Sequence, residues 1–258
     1  MNISFLVFSL IFSMTTYSQK LNESDLKPYN NELNFKILDE NDLLEKNESI
    51  EAVIFVFNKP MYKNAERSIS NNPQLKEIKL FGSSQELLTF ISDSKLPKLT
   101  HLFFKRYKGS VLEIPPFPIL EHLTIQSLLL VSLNMDKGEM NKLDILDINA
   151  PKLRKWKSAE SIPNLGLIEL KAPLLDSFPI VHMPKITQFY YECSFKVLPE
   201  NLCDYADLSY ISFNNYCPVQ IDACIKKKIK QGVYSNLTIY DQIHGKVLSE
   251  VESKDRKE

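Results

Sequence analysis

The chain has 258 residues, 44% of them apolar and 24% charged, a make-up that excludes disorder for its bulk and belongs to folded proteins. Against 31 Lys and Arg stand 32 Asp and Glu, a formal charge of −1, so the molecule as a whole is drawn neither to nucleic acid nor to an anionic membrane surface. Any binding has to be local.

Residues 1–18 come first and differ in kind from the rest. From Ile3 to Met14 the chain is apolar apart from three serines, and Thr15, Thr16, Tyr17 and Ser18 precede the first charged side chain, Lys20. The run is shorter than the roughly 20 residues that span a bilayer, and small residues at Thr16 and Ser18 suit cleavage before Gln19, so the segment reads as a secretory signal peptide. No Cys follows it, which argues against a bacterial lipid anchor there, and no later segment is apolar enough to span a membrane. Residues 19–72 form an N-terminal cap: polar and Asn-rich at first, then the apolar run Val53-Ile54-Phe55-Val56-Phe57, expected to make an irregular first coil because Phe57 lies 23 residues before Leu80.

Residues 73–216 repeat. A Leu-x-x-Leu-x-Leu triplet, with Ile, Phe or Tyr substituting, recurs as Leu75/Ile78/Leu80, Leu99/Leu102/Phe104, Leu120/Leu123/Ile125, Leu143/Leu146/Ile148, Leu165/Ile168/Leu170, Ile186/Phe189/Tyr191 and Leu208/Ile211/Phe213. The first positions are 24, 21, 23, 22, 21 and 22 residues apart. A fixed period of this size means that each unit buries its apolar edge only by stacking on its neighbours, which predicts a solenoid. Pro73, Pro97, Pro118, Pro163 and Pro184 each stand two residues before a first triplet position, marking strand starts where a missing N–H does no harm. Eight residues beyond the third position come Leu88, Leu112, Leu133, Trp156, Phe178 and Ile221, with Leu198 at seven; this second column is expected to fill the side opposite the strands, so Trp156 is read as a packing residue.

The end of the chain carries all four cysteines. Cys193 to Cys217 is 24 residues and Cys203 to Cys224 is 21, each about one repeat, which would put both members of a pair on neighbouring coils about 4.8 Å apart, a spacing a disulfide tolerates. Four cysteines allow three pairings, and buried free thiols are the alternative. Residues 217–250 are expected to cap the solenoid, with Leu237-Thr238-Ile239 as a last strand if Ile239 is matched to Phe213, and residues 251–258 to be a solvated tail.

The triplets, their period and the run from Phe195 to Leu202 leading into Leu208-Ser209-Tyr210-Ile211-Ser212-Phe213 resemble the leucine-rich repeat family over about residues 73–216. The resemblance implies an α/β fold: a right-handed solenoid with a parallel concave sheet and an irregular convex side, and a protein-interaction role more often than an enzymatic one. One departure matters. Three residues after the last triplet position the family usually has Asn or Cys, bonded to backbone inside the turn; here stand Ser83, Tyr107, Leu128, Pro151, Pro173, Ser194 and Tyr216, so that internal ladder is expected to be absent or replaced. The Lys, Asn and Ile bias and the Tyr17-Ser18-Gln19-Lys20 junction are similar to exported proteins of the Bacteroidetes.

Alternate side chains of a strand face opposite ways, so residues between the inward triplet positions line the concave face. Phe103, Tyr190 and Tyr210 are then exposed aromatic anchors and Ile145 lies beside Leu167, unless an insertion or a chain end folds over them. His101, His122, Asp147, Glu169 and Lys171 surround the anchors as polar selectors. His101 and His122 sit at equivalent places on successive coils, but a metal would need a third ligand that spacing does not supply, and no metal or other cofactor is expected. Neither a Gly-rich phosphate loop nor a His-Glu-x-x-His or Gly-x-Ser-x-Gly motif is present, and Lys226-Lys227-Lys228-Ile229-Lys230 reads as a wet helix face. The expectation is a non-catalytic module, periplasmic, cell-surface or secreted, that binds a protein or a surface glycan. The alternatives are a structural spacer or envelope component without a dedicated ligand, or an intracellular scaffold if the N-terminus is not cleaved.

Overall fold

The computed structural model describes residues 27–29, 32–59, 61–94, 96–135, 140–175, 177–179, 181–193, 200–205, 207–213, 223–231, 233, 238–241 and 246–247. Residues 1–18, read above as a signal peptide, and Leu198, Cys217, Ile221 and residues 251–258 lie outside them.

Each triplet becomes one turn and one strand. The first triplet residue closes a β-turn, its N–H donating to the carbonyl three residues back: Leu75 to Asn72, Leu99 to Leu96, Leu120 to Phe117, Leu143 to Met140, Leu165 to Ile162 and Ile186 to Met183, at 3.1 to 3.3 Å. The prolines occupy the second position of these turns, where φ near −65° is required and no N–H is used; Asn141 takes that place in the fourth coil. The strands that follow are β3 (Glu77–Phe81), β4 (His101–Lys105), β6 (His122–Gln126), β8 (Ile145–Asn149), β10 (Leu167–Ala172), β11 (Gln188–Cys193) and β12 (Tyr210–Phe213). They pair in parallel, each with the next coil and in register, so the second and third triplet residues form continuous inward rows. Every triplet residue is at most 3% exposed, as stacking of units that cannot bury their own edges requires.

Two strands precede the repeats. β1 (Phe35–Asp39) and β2 (Ala52–Val56) pair in parallel and β2 continues onto β3. The expected irregular first coil is therefore a regular one, and the patch at Phe35 to Leu38 adds a further strand inside the N-terminal cap. At the other end β13 (Thr238–Asp241) pairs with β12 and β14 (Lys246–Val247) turns back antiparallel. The last strand is where expected but its register differs: Ile239 pairs with Ile211, and Phe213 pairs with Asp241. A two-residue shift keeps Ile239 on the core side, where it is fully buried, so alternation alone does not choose between the registers.

The backs of the coils change along the stack. Helices α1 (Lys63–Asn71) and α2 (Gln85–Asp93) close the first two, burying Ala65, Ile69, Leu87, Leu88 and Ile91. In the middle coils the backs are strands: β5 (Val111–Glu113), β7 (Ser132–Asn134) and β9 (Lys155–Lys157) form a second parallel sheet, with Leu112, Leu133 and Trp156 as its inward residues. The expectation of an irregular convex side is corrected here. Further along their coils Ser161 and His182 form an isolated parallel bridge. Trp156 packs edge-on against Phe178 at 5.2 Å and is 8% exposed, a packing residue as read from its column.

The missing Asn ladder is replaced piecemeal. Ser127 donates to Tyr107 O (2.7 Å) and its Oγ accepts from the N–H groups of Leu129 and Leu130, while the Tyr107 hydroxyl donates to Val111 O (2.7 Å). At Pro151 and Pro173 a second β-turn does the work, Leu153 N to Ala150 O and Leu175 N to Ala172 O. A disulfide joins Cys203, in the 3₁₀ turn Glu200–Asp204, to Cys224 in α3 (Ala223–Lys230), with a Cα separation of 6.1 Å. One of the two expected pairs is thus formed, between the backs of adjacent coils and not between their strands; the pair with Cys217 lies outside the described residues.

Candidate partner-binding face

The face of the large sheet turned away from the core carries three rows of aligned side chains, one of them Val56, Phe81, Lys105, Gln126, Asn149, Lys171 and Glu192, and two that bear most of the candidate residues. Of these two, one runs Ala52, Glu77, His101, His122, Ile145, Leu167, Gln188, Tyr210; the other Ile54, Lys79, Phe103, Thr124, Asp147, Glu169, Tyr190, Ser212, Tyr240. The register sets the neighbours: His101 beside His122, Asp147 beside Glu169, Ile145 beside Leu167.

This face is not uniform. Over β2 to β6 most of its outward side chains are covered: Ala52 and Ile54 are fully buried, Glu77, Lys79, Phe81, Phe103, His122 and Thr124 are each 6% exposed or less, and Val56, His101, Lys105 and Gln126 are half-buried. Part of the cover is residues 27–29. Pro28 is buried, the Tyr29 N–H donates to both oxygens of Glu77 (2.7 and 2.9 Å), and Lys79 Nζ donates to Lys27 O (2.5 Å). The Tyr29 ring lies over His101 (5.3 Å), Phe103 (5.9 Å) and His122 (4.7 Å, edge-on). Phe103 is therefore not an exposed anchor, and His122 is shielded with it. The physical reason is the apolar excess on this stretch: Ile54, Phe81 and Phe103 point outward on adjacent strands and leave too much surface to be wetted.

From β8 onward the face is open except at Ser212 on β12, which is 1% exposed. Ile145, Asp147, Leu167, Glu169, Gln188, Tyr190 and Tyr210 are half-buried and Lys171 is exposed. Tyr190 and Tyr210 meet at 5.2 Å with planes 43° apart, and the Tyr190 hydroxyl donates to Gln188 Oε1 (3.3 Å). Lys171 bonds Glu169 at 2.5 Å, and that bond raises the ammonium above its ordinary range. Asp147 is pushed up to about 6, mainly by burial and then by the neighbouring Glu169 charge, so it carries a proton part of the time near neutrality.

Between the two halves a cavity of about 310 Å³ is lined by His101, Glu121, His122, Lys142, Asp144, Ile145 and Asn164. Gly166 gives the Asp144 carboxylate its place, since a Cβ there would meet Asp144 Oδ1 at 2.5 Å. Burial lowers the pKa of both histidines, that of His122 to about 4 with the His101 and Lys79 charges adding to it. Each ring has one nitrogen against a threonine hydroxyl: His101 Nδ1 with Thr100 Oγ1 (2.8 Å) and His122 Nε2 with Thr124 Oγ1 (3.2 Å), while His122 Nδ1 is buried without a partner among the described residues. Among the described residues no group of three or more His, Cys, Asp or Glu side chains is placed to hold a metal ion, and no helix is long and apolar enough to cross a membrane.

The sequence reading did not find Tyr29. Its only signals were a Pro28-Tyr29 pair in an otherwise polar stretch and the outward apolar residues that needed a cover. No family model matches the chain, and no curated protein is found to be similar to it.

Proposed function

We propose that the chain is an exported leucine-rich repeat module without catalytic activity, binding a protein or a surface glycan through the open half of the outward sheet face. The observation that carries the reading is the Tyr190–Tyr210 ring pair, half-buried on adjacent strands with its ring centres 5.2 Å apart. Aromatic side chains fixed on a rigid sheet lose little conformational entropy when a partner covers them, which is why they serve as anchors. Ile145 and Leu167 extend the apolar surface, and Asp147, Glu169 and Lys171 border it with charge. The Cys203–Cys224 disulfide favours an oxidising compartment outside the cytoplasm.

The test compares the parent with the Tyr190→Ser/Tyr210→Ser variant for capture of components from the native host's cell envelope and on a glycan array. A binder loses its ligand at least ~10-fold in the variant while keeping its melting temperature, since truncating an anchor costs on the order of 2 kcal/mol of binding. Equal capture by both proteins, or none by either, replaces this reading with that of a structural spacer or envelope component.

A further inference from the structure

The covered half of the face holds residues 27–29 in the way a receptor holds a peptide. The sheet ladder is complete without them, as β3, β4 and β6 pair with one another and the segment adds no strand. Its backbone is gripped instead by side chains: an N–H by the Glu77 carboxylate and, two residues earlier, a carbonyl by Lys79 Nζ. Glu77 and Lys79 are 1% and 5% exposed and 3.8 Å apart, so a charged donor and a charged acceptor sit buried at a spacing that matches a peptide backbone. Between the two grips Pro28 is buried, and its ring fixes φ, so little backbone freedom is left to lose there. Beyond them the Tyr29 ring rests on the floor made by His101, Phe103 and His122, yet Tyr29 stays 54% exposed. The grip is strong where it reads backbone and shallow where it reads side chain, which makes the occupant exchangeable at modest cost.

We infer that the patch of Glu77, Lys79, His101, Phe103 and His122 is a peptide-docking site, filled here by the chain's own residues 27–29, that accepts in trans a peptide presenting a proline followed by an aromatic residue. The N–H of the aromatic residue goes to Glu77, the carbonyl of the residue before the proline goes to Lys79, and the ring lies across the two imidazoles and Phe103. The site is separate from the open face of Tyr190 and Tyr210, and does not depend on it.

A labelled peptide of the sequence of residues 25–30 is titrated into the full chain, read by fluorescence anisotropy. Pro28→Gly/Tyr29→Ala weakens the internal occupant, so this variant binds the peptide at least ~10-fold tighter than the parent, and adding Glu77→Gln takes back at least ~10-fold, the scale expected for loss of a charged hydrogen bond. A peptide with Ala in place of Tyr does not bind. Failure of a variant that keeps the parent's melting temperature to bind the peptide, or equal binding of the Tyr and Ala peptides, overturns the inference. Should the variant lose its fold, the parent carrying 3-fluorotyrosine is titrated with the same peptide: displacement of the Tyr29 resonance supports the site, and an unmoved resonance at millimolar peptide overturns it.

Discussion

His122 and Asp147 stand on adjacent strands, β6 and β8, of the same face and respond to burial in opposite senses. His122 is held neutral, its pKa lowered to about 4 from 6.5, so the unfolded chain binds the proton first and the stability this ring contributes is present above about 6.5 and lost as pH falls toward 4. Asp147 is raised to about 6 from 3.8; the folded chain binds the proton first, and its contribution is present below 3.8 and lost as pH rises through about 6. Melting temperatures measured from pH 8 to pH 4 are therefore expected to fall less on acidification for His122→Asn than for the parent. Asp147→Asn is expected to raise the melting temperature at pH 8 and to have no effect at pH 4. Curves parallel to the parent's for both variants would show that burial does not set these protonation states.

Among the elements, the exits of β3 and β4 are the places where backbone geometry is most constrained. Gly82 and Arg106 each follow the last residue of a strand, 24 positions apart, and both adopt positive φ, at 80° and 56°. Only the first is a glycine, and it needs to be: a Cβ at Gly82 would stand 2.6 Å from Phe57 O, whose own N–H bonds Phe81 O at 2.9 Å. Gly82→Ala is expected to cost about 1–3 kcal/mol in denaturant unfolding, the range for a non-glycine residue held in this region, whereas Arg106→Gly relieves the same strain and costs less than the Gly82 change. Equal effects at the two positions would mean that the close approach to Phe57 O is absorbed elsewhere. The turns at the strand entrances were legible in the sequence because proline at the second turn position has a single mechanism. The regular second sheet was not: the column of Leu112, Leu133 and Trp156 placed its inward residues, but three-residue strands such as Val111–Glu113 present only one inward residue each, too few for the alternation that marks a strand.

At the scale of the molecule, stability is a sum over coils and their interfaces, so damage stays local. The Cys203–Cys224 bridge closes a loop of 21 residues, for which the chain-entropy account gives about 3 kcal/mol. Cys203→Ser/Cys224→Ser is expected to raise hydrogen exchange in β12 and β13 and to leave protection in β3, β4 and β6 unchanged. Uniform loss of protection along the stack would instead mean that the whole molecule unfolds as one cooperative unit. The same locality allows the two halves of the outward face to differ: the cover over β3 to β6 leaves the open face from β8 onward untouched.

The sequence by itself determined the stacking. Residues such as Leu75, Ile78 and Leu80 recur at one period, and a unit that cannot bury its own apolar edge has no other way to fold; the turn prolines, the inward rows and the packing role of Trp156 follow from that local arithmetic. Which outward residues meet solvent was decided only by the tertiary structure. Phe103 and Tyr190 hold equivalent strand positions and read alike, but Phe103 is 5% exposed and Tyr190 only half-buried, because a segment more than seventy residues before Phe103 in the chain lies across one and not the other. Contacts between residues so far apart leave no periodic trace, and whether an outward aromatic is an anchor or a floor depends on what the rest of the chain lays over it.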